Sequence, residues 1–403
     1  MRRPPSSSQI PATRDQVLAF RLDSQHLSSR LSASALLSAA GACGVQNTPP
    51  GSAAIALHAR VSGLDADAIR SALYVDKSLM EVWSLRAAPH VLPSSDREVF
   101  TLGLLPEDEQ SLRFFVRGAE AALHRVGMSA SEVVRYAEAE VPDALDGREL
   151  SKDELGVELA RRVEQRLNPQ QLAAWRSPSW YAAKQSLGES VVRFALSVLA
   201  LQGLLCIGPR RRRAAALVRT DQWLGVAQSR MTPEQARAEL VRRYLCCYGP
   251  STVKHFAEWA GIAPAQAARA WADVDRELIP MDYEGRATWL QERDLPHFRS
   301  PAKTTGIRYL PPHDPYLQLR DRSTLVPDRS KQHQIWRSSG NPGIVLVEGR
   351  LTATWRPRKE RSRLRMAVEC FAPVSQAIVS RMEAEAATLA PYRGCRSVEV
   401  QIR

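Results

Sequence analysis

Up to about Leu295 the apolar positions of this chain recur mostly at helical spacing, and beyond it they alternate mostly as in strands. Asp15 to Arg30 carries Val17, Leu18, Phe20, Leu22 and Leu27 as the apolar positions of a first helix. Ser32-Ala33-Ser34 caps a second helix through Ala40, since a hydroxyl can accept from the free N–H groups of a first turn. An apolar helix from Ser52 to Val61 follows, and Asp65-Ala66-Asp67 caps another to about Leu73. Met80 to Ala87 alternates as a strand, His90-Val91-Leu92-Pro93 continues it, and Ser94-Ser95-Asp96 opens a further helix. Helix–helix–helix–hairpin is the order of a winged helix.

The middle of the chain repeats that order. Ser129 to Ala137 is helical, and Ser151-Lys152-Asp153-Glu154 is a capping box for a helix from Leu155 to Leu167. Gly188 to Leu201 is strongly apolar, Leu204 to Ile207 is a strand, Gly208 to Arg213 a turn and Ala214 to Val218 the return strand. A third copy starts at Thr232-Pro233-Glu234, with proline at the first helical position, and runs to Tyr248. Gly249-Pro250-Ser251-Thr252 breaks it. Helices from Val253 to Ala260 and Pro264 to Val274 follow, then a hairpin from Glu277 to Met281 and Ala287 to Leu290 around Glu284-Gly285. The repetition is of element order, not of a fixed sequence period.

Past Leu295, Ile344 to Val347, Arg350 to Trp355 and Leu364 to Phe371 read as strands, with Gly349 and Arg356 to Arg363 as turns. Val374 to Ala390 is a closing helix and Ser397 to Ile402 a last strand. The expected fold class is α+β, mainly α: three tandem winged helices followed by a β-rich, barrel-like domain. The boundaries expected are a disordered tail over residues 1–12, winged helices over 13–105, 106–230 and 231–300, and the β-rich domain over 301–403.

Composition adds a partner class. The 403 residues are 44% hydrophobic and 24% charged, enough for ordinary cores in several domains. The net charge of +12 points to a polyanion, with nucleic acid first among them. The six cysteines are dispersed, without a Cys-x-x-Cys pair, and the histidines include no His-Glu-x-x-His, so neither a disulfide framework nor a metal site is expected. Met1-Arg2-Arg3 leads into prolines and serines rather than an apolar core, so no signal peptide is expected. The most apolar run, Val191 to Gly208, holds Arg193 and Gln202 and reads as a buried helix plus strand, not a membrane span. A cytoplasmic protein, nucleoid-associated through DNA, is expected.

Candidate chemistry lies in three places. Arg210, Arg211, Arg212 and Arg213 fall in the second predicted wing, where guanidiniums can meet phosphates without reading sequence; a solvated charge run is the plain alternative. A second basic cluster, Arg356, Arg358, Lys359, Arg361, Arg363 and Arg365, sits in another predicted hairpin. Gln46-Asn47-Thr48 stands between an apolar segment and a Pro-Pro-Gly turn; its amides and hydroxyl can orient a water, or simply cap a helix.

Several blocks together resemble the AlkZ/YcaQ-like winged-helix DNA glycosylases, over nearly the whole chain. Gly44-Val45-Gln46-Asn47-Thr48 is similar to the family's Gly-Leu-Gln-x-Gln region, and Leu85 to Val91 to its Arg-Gly-Thr-Leu-His block. Leu240 to Tyr244, Tyr248 to Thr252 and Trp259-Ala260-Gly261 resemble its third-domain signature. Leu310 to Tyr316 with Arg320-Asp321-Arg322, and Gly349 to Trp355, resemble its C-terminal part. The resemblance implies a monomeric, cofactor-free enzyme that excises alkylated bases, crosslinked ones included, from double-stranded DNA in repair or toxin self-resistance. It implies Gln46 and Thr48 as catalytic, with Asn47, Arg86, His90, Arg320 and Arg322 beside the wing arginines at DNA. Thr48 departs from the glutamine or aspartate of the family, and Ala87-Ala88 from its Gly-Thr. A non-catalytic lesion sensor or regulator with the same fold is the alternative.

Overall fold

Thr13 starts the first helix, Arg14–Ser24, by a capping box: its side chain accepts from Gln16 N–H, and the Gln16 side chain accepts from the Thr13 backbone. The helix ends six residues before the expected Arg30, where His26 turns to a φ of 57°. The computed structural model describes residues 9–211, 214–225 and 231–403. The elements form a mixed α/β fold, divided into two compact units. One comprises Met1–Ala72, Val241–Trp259 and Val274–Arg403; the other comprises Leu73–Leu240 and Ala260–Asp273.

In the first unit the last three residues of the expected tail, Ile10–Ala12, are a strand. Ile10–Ala12 pairs in parallel with Leu278–Tyr283, which pairs in turn with Arg286–Gln291. Residues 1–8 of the expected tail lie outside the described residues. The hairpin turns on Glu284 and Gly285, at φ 53° and 69°, the two positive values that a tight two-residue turn needs. Val17, Phe20, Met281, Leu290 and Phe298 close the core beneath it.

The C-terminal part of this unit is β-rich but not a closed barrel. Its strands run Ile307–Leu310, Gly343–Val347, Arg350–Glu360, Arg363–Cys370 and Ser397–Ile402 in that spatial order, and the two end strands are edges. The last strand runs parallel to its neighbour, after a crossover through the helix Gln376–Ala387. The expected turn from Arg356 to Arg363 is strand on both sides, with Glu360 opposite Arg363 and Arg361 alone at positive φ. Alternation explains the difference: Leu364, Met366 and Val368 face the core while Arg363, Arg365 and Ala367 face out. Ile55, from the helix Ser52–Arg60, enters that same core beside Tyr309, Val345 and Trp355, so the Gln46 segment is mounted on the sheet.

In the second unit the helices Ala130–Ala144, Lys152–Val163 and Leu187–Leu201 pack together, the first two opened by the capping boxes of Ser129 and Ser151. Leu187–Leu201 is apolar because most of its surface is buried. The hairpin Leu79–Trp83/Pro89–Pro93 and the hairpin Leu205–Arg211/Ala214–Arg219 share one sheet, joined where Glu81 lies opposite Ile207. Gly208 to Arg211 is therefore strand, with a register shift between Ile207 and Arg210, rather than the expected turn. Arg212 and Arg213 lie outside the described residues.

Candidate functional site

Gly51 has a φ of 90°, and that left-handed residue lets residues 47–51 fold back onto the start of the helix Ser52–Arg60. The side chain of Asn47 completes the turn. Its Oδ1 accepts from Gly51 N–H at 2.8 Å and from Ala53 N–H at 3.3 Å, satisfying donors that no helix supplies with partners. A role for Asn47 at DNA therefore falls to its Nδ2 end. Thr48 is half-buried at the head of the turn, and its peptide bond to Pro49 is cis.

Gln46 precedes this turn in the short strand Val45–Gln46 and is 8% exposed. Its Oε1 accepts from Gln318 Nε2 at 3.2 Å, and the same Nε2 donates to the carbonyl of His313 at 3.2 Å. Gln318 is placed by a buried ion pair. Arg60, at the end of the motif helix, grips Asp314 through two contacts of 2.8 Å, both side chains being essentially inaccessible. Asp314 also accepts from Tyr316 N–H at 2.9 Å and so starts the short turn Pro315–Gln318. Tyr248 donates to the carbonyl of Pro315 at 2.7 Å. The start of that turn is thus pinned from two sides. Breaking such a pair strands a buried charge and costs about 3–5 kcal/mol.

Arg21 is the other organising cation of this unit. Buried in the first helix, it donates to the carbonyls of Gly249 and Pro250 at 3.2 and 3.1 Å and pairs with Asp321 at 2.8 Å. It thereby fixes the residue between Arg320 and Arg322. Arg322 lies over the Trp336 ring at 5.0 Å. Arg393 also belongs to this neighbourhood: a Cβ on Gly51 would sit 3.6 Å from its Nη1.

Within the second unit, Arg86 and His90 occupy one hairpin. Arg86 and Ala87 both adopt positive φ, 56° and 54°, in the turn between Leu79–Trp83 and Pro89–Pro93. Gly261 lies against that turn so closely that a Cβ would approach Arg86 Cα to 2.8 Å. His90 is 2% exposed, and its Nδ1 donates to the carbonyl of Ala88 at 2.9 Å. Burial, aided by the charge of Arg86, pulls its imidazole down to about 3, so it is neutral. Arg210 pairs with the buried Glu81 at 2.8 Å, which makes it an internal ion-pair partner rather than a simple surface cation.

Gln318, Arg60 and Arg21 hold the candidate site together, and the sequence alone did not mark them. Gln318 stands 272 positions from Gln46 and Asp314 254 from Arg60, and no local period reports such distances. No His, Cys, Asp or Glu cluster among the described residues could hold a metal, and no helix among them is long and apolar enough to cross a membrane.

Comparison with known proteins places nearly the whole chain in one family. The family profile "DNA glycosylase AlkZ-like" matches residues 39–392. An interstrand DNA cross-link repair glycosylase of Streptomyces sahachiroi is 27% identical over 401 residues, covering 96% of this chain and 98% of the relative. The solved structure of Streptomyces sahachiroi DNA glycosylase AlkZ superposes with a TM-score of 0.74 at 23% identity, over 98% of this chain and 100% of that one.

Proposed function

Because the chain belongs to the family of AlkZ-like DNA glycosylases, we propose that it hydrolyses the N-glycosidic bond of alkylated purines in double-stranded DNA, with Gln46 directing the water. The fixed Gln46 side chain carries this reading. A purine alkylated at N3 or N7 is cationic, so its bond to C1′ breaks with both electrons passing to the base, which leaves neutral. Water oxygen then bonds to C1′ and its proton passes to solvent. The protein has to place that water and stabilise positive charge on the sugar, and a preorganised amide oxygen does both. Gln318 keeps Gln46 Oε1 oriented. Thr48, at the position where the resembled family has glutamine or aspartate, contributes a hydroxyl of shorter reach.

Arg86, Arg211, Arg212, Arg213, Arg320 and Arg322 are assigned to phosphate contact, Arg210 to its ion pair with Glu81, His90 to holding the Arg86 turn, and Asn47 to the start of the motif helix with its Nδ2 toward DNA. Three tandem winged helices with the boundaries read from sequence, a monomeric state and action in the cytoplasm, nucleoid-associated through DNA, complete the proposal. The three hairpins, each preceded by helices, support it. The relative that acts in interstrand cross-link repair supports crosslinked bases as substrates here as well.

The test is abasic-site formation in duplexes alkylated at purine N3 and N7. Gln46→Ala should abolish it with DNA affinity within about twofold of wild type, because the amide acts in the transition state. Thr48 favours a second reading, a non-catalytic lesion sensor. That reading prevails if wild type and Thr48→Gln both release no base yet bind the duplex tightly.

A further inference from the structure

A second feature of the Gln46 unit has a chemistry of its own. A cavity of about 360 Å³ opens where the 278–291 hairpin meets the segment after Gln318. Four arginines line it: Arg286 from the hairpin, Arg320 and Arg322 from the segment, and Arg329 from the helix that follows. Two carboxylates share the lining, Asp321 and Glu284. Asp321 is already neutralised by Arg21 at 2.8 Å and accepts from Thr324 at 2.9 Å. Glu284 is at the exposed tip of the hairpin. His255 also lines the wall, and burial lowers its pKa, which keeps it neutral. The balance inside is strongly positive.

Arg320 is the informative member. Its Nε and Nη2 are buried and have no hydrogen-bond partner among the described residues. Guanidinium N–H groups withdrawn from water without hydrogen-bond partners are costly, and such groups are found paired in folded proteins. Burial lowers its pKa and the charge of Arg322 adds to the effect, opposed by Tyr248, Glu258 and Tyr244. Arg322 is itself steadied over the Trp336 ring, whose Nε1 donates to the carbonyl of Leu317 at 3.0 Å. Thr252 adds a hydroxyl at the wall, from the loop whose carbonyls Arg21 grips. Four guanidinium forks and a hydroxyl lining one cavity can meet the several oxygens of a phosphoryl group, where a carboxylate offers only two.

We propose that this cavity is a phosphoryl-group site, and that its occupant is a backbone phosphate of the DNA duplex. The inference rests on the DNA-binding half of the function proposed above and not on its chemistry. A contact of this kind positions the duplex without reading sequence. It would anchor the strand on the same unit that carries Gln46.

The test uses the full-length chain. Arg320→Met removes the charge and keeps much of the apolar stem. Wild type should gain thermal stability from inorganic phosphate over chloride at equal ionic strength, and Arg320→Met should not. Because it removes buried N–H groups that have no hydrogen-bond partner among the described residues, the variant should match or exceed wild-type stability without phosphate. Its affinity for unmodified duplex should fall roughly tenfold, and the log–log salt slope should drop by about one. Arg286→Gln and Arg329→Gln, at more exposed positions, should shift both readouts in the same direction, and they serve if Arg320→Met does not fold. A phosphate effect that the variants lose while duplex affinity stays unchanged would keep the phosphoryl site and overturn DNA as its source. Variants indistinguishable from wild type in both assays would overturn the site altogether. Base release by wild type is a separate measurement, so failure of the glycosylase reading would not be mistaken for failure of this one.

Discussion

Gln46 matters less for being an amide than for being an amide whose oxygen has a fixed direction. Gln318 Nε2 donates to it, and an ionised carboxylate in place of Gln318 could not. Gln318→Glu preserves shape but presents an acceptor, which would favour rotation of the Gln46 amide so that its NH2 faces position 318. Gln318→Leu removes the donor without imposing that rotation. Base-release turnover under saturating DNA should therefore fall in the order wild type, Leu variant, Glu variant, with the Leu variant down about tenfold and duplex affinity changed little. Equal turnover in all three would remove Gln318 from the mechanism. At Ala87 the departure from glycine has a physical price tag in the backbone. An alanine at φ 54° has its Cβ crowded against the carbonyl, whereas glycine has none. Ala87→Gly should raise stability by about 0.5–1 kcal/mol after the extra chain entropy of glycine is offset. Urea unfolding of the two proteins measures the difference, and a loss of stability would show that Ala87 gains more from packing than it loses in strain.

Elements mark themselves in the sequence when their ends are local, and the capping boxes at Ser129 and Ser151 are the clearest cases. So is the Glu284-Gly285 turn, where residue type and turn geometry agree. The helix Val253–Ala260 and the strand Ser397–Ile402 have the bounds read from their apolar spacing. Charge runs misled for a physical reason: arginines on the outer face of a two-sided strand look like a turn unless the alternate residues are read as core, as Leu364 and Met366 require. The strand Ile307–Leu310 left no such pattern, because all its residues are buried. The site was legible to the same extent. Gln46 stood out beside its Pro-Pro-Gly turn, whereas Asn47 proved to be a cap and the Arg60–Asp314 pair was invisible. That capping role predicts that Asn47→Ala destabilises by about 1 kcal/mol, and Asn47→Asp by much less, since either carboxylate oxygen can accept from Gly51 N–H. Thermal melts decide it; equal melting of all three would leave the helix start uncapped by this side chain.

Across the whole molecule the same burial that builds each unit sets a response to acid. His90, in the Leu73–Leu240 unit, is pulled down to about 3 by burial first and by the charge of Arg86 second, while its bond to the Ala88 carbonyl opposes them. His58, in the unit that carries Gln46, is pulled down to about 4 by burial and by Arg30 and Arg308, against the opposing carboxylate of Glu385. It hydrogen-bonds Thr388 at 2.8 Å and lies against the Tyr392 ring. In an unfolded chain both imidazoles would titrate near 6.5. Between their folded and unfolded values the unfolded chain binds more protons, so stability rises with pH there. The contribution is nearly complete above about pH 7 and is progressively lost as pH falls from 6.5 toward 4 for His58 and toward 3 for His90. For a residue as buried as His90 the loss between pH 7 and pH 5 is about 2 kcal/mol. Depressed carboxylates such as Glu277, held down by Arg242, add a loss of the same sign at lower pH. Substitution separates the two sources. His90→Gln lacks the titrating ring and retains a side chain able to donate to the Ala88 carbonyl. It should be less stable than wild type at pH 7.5 because of imperfect packing, yet lose less stability on going to pH 5. Chemical denaturation at both pH values measures the two differences. Parallel losses in wild type and variant would mean that His90 opens to solvent and titrates normally in the folded protein.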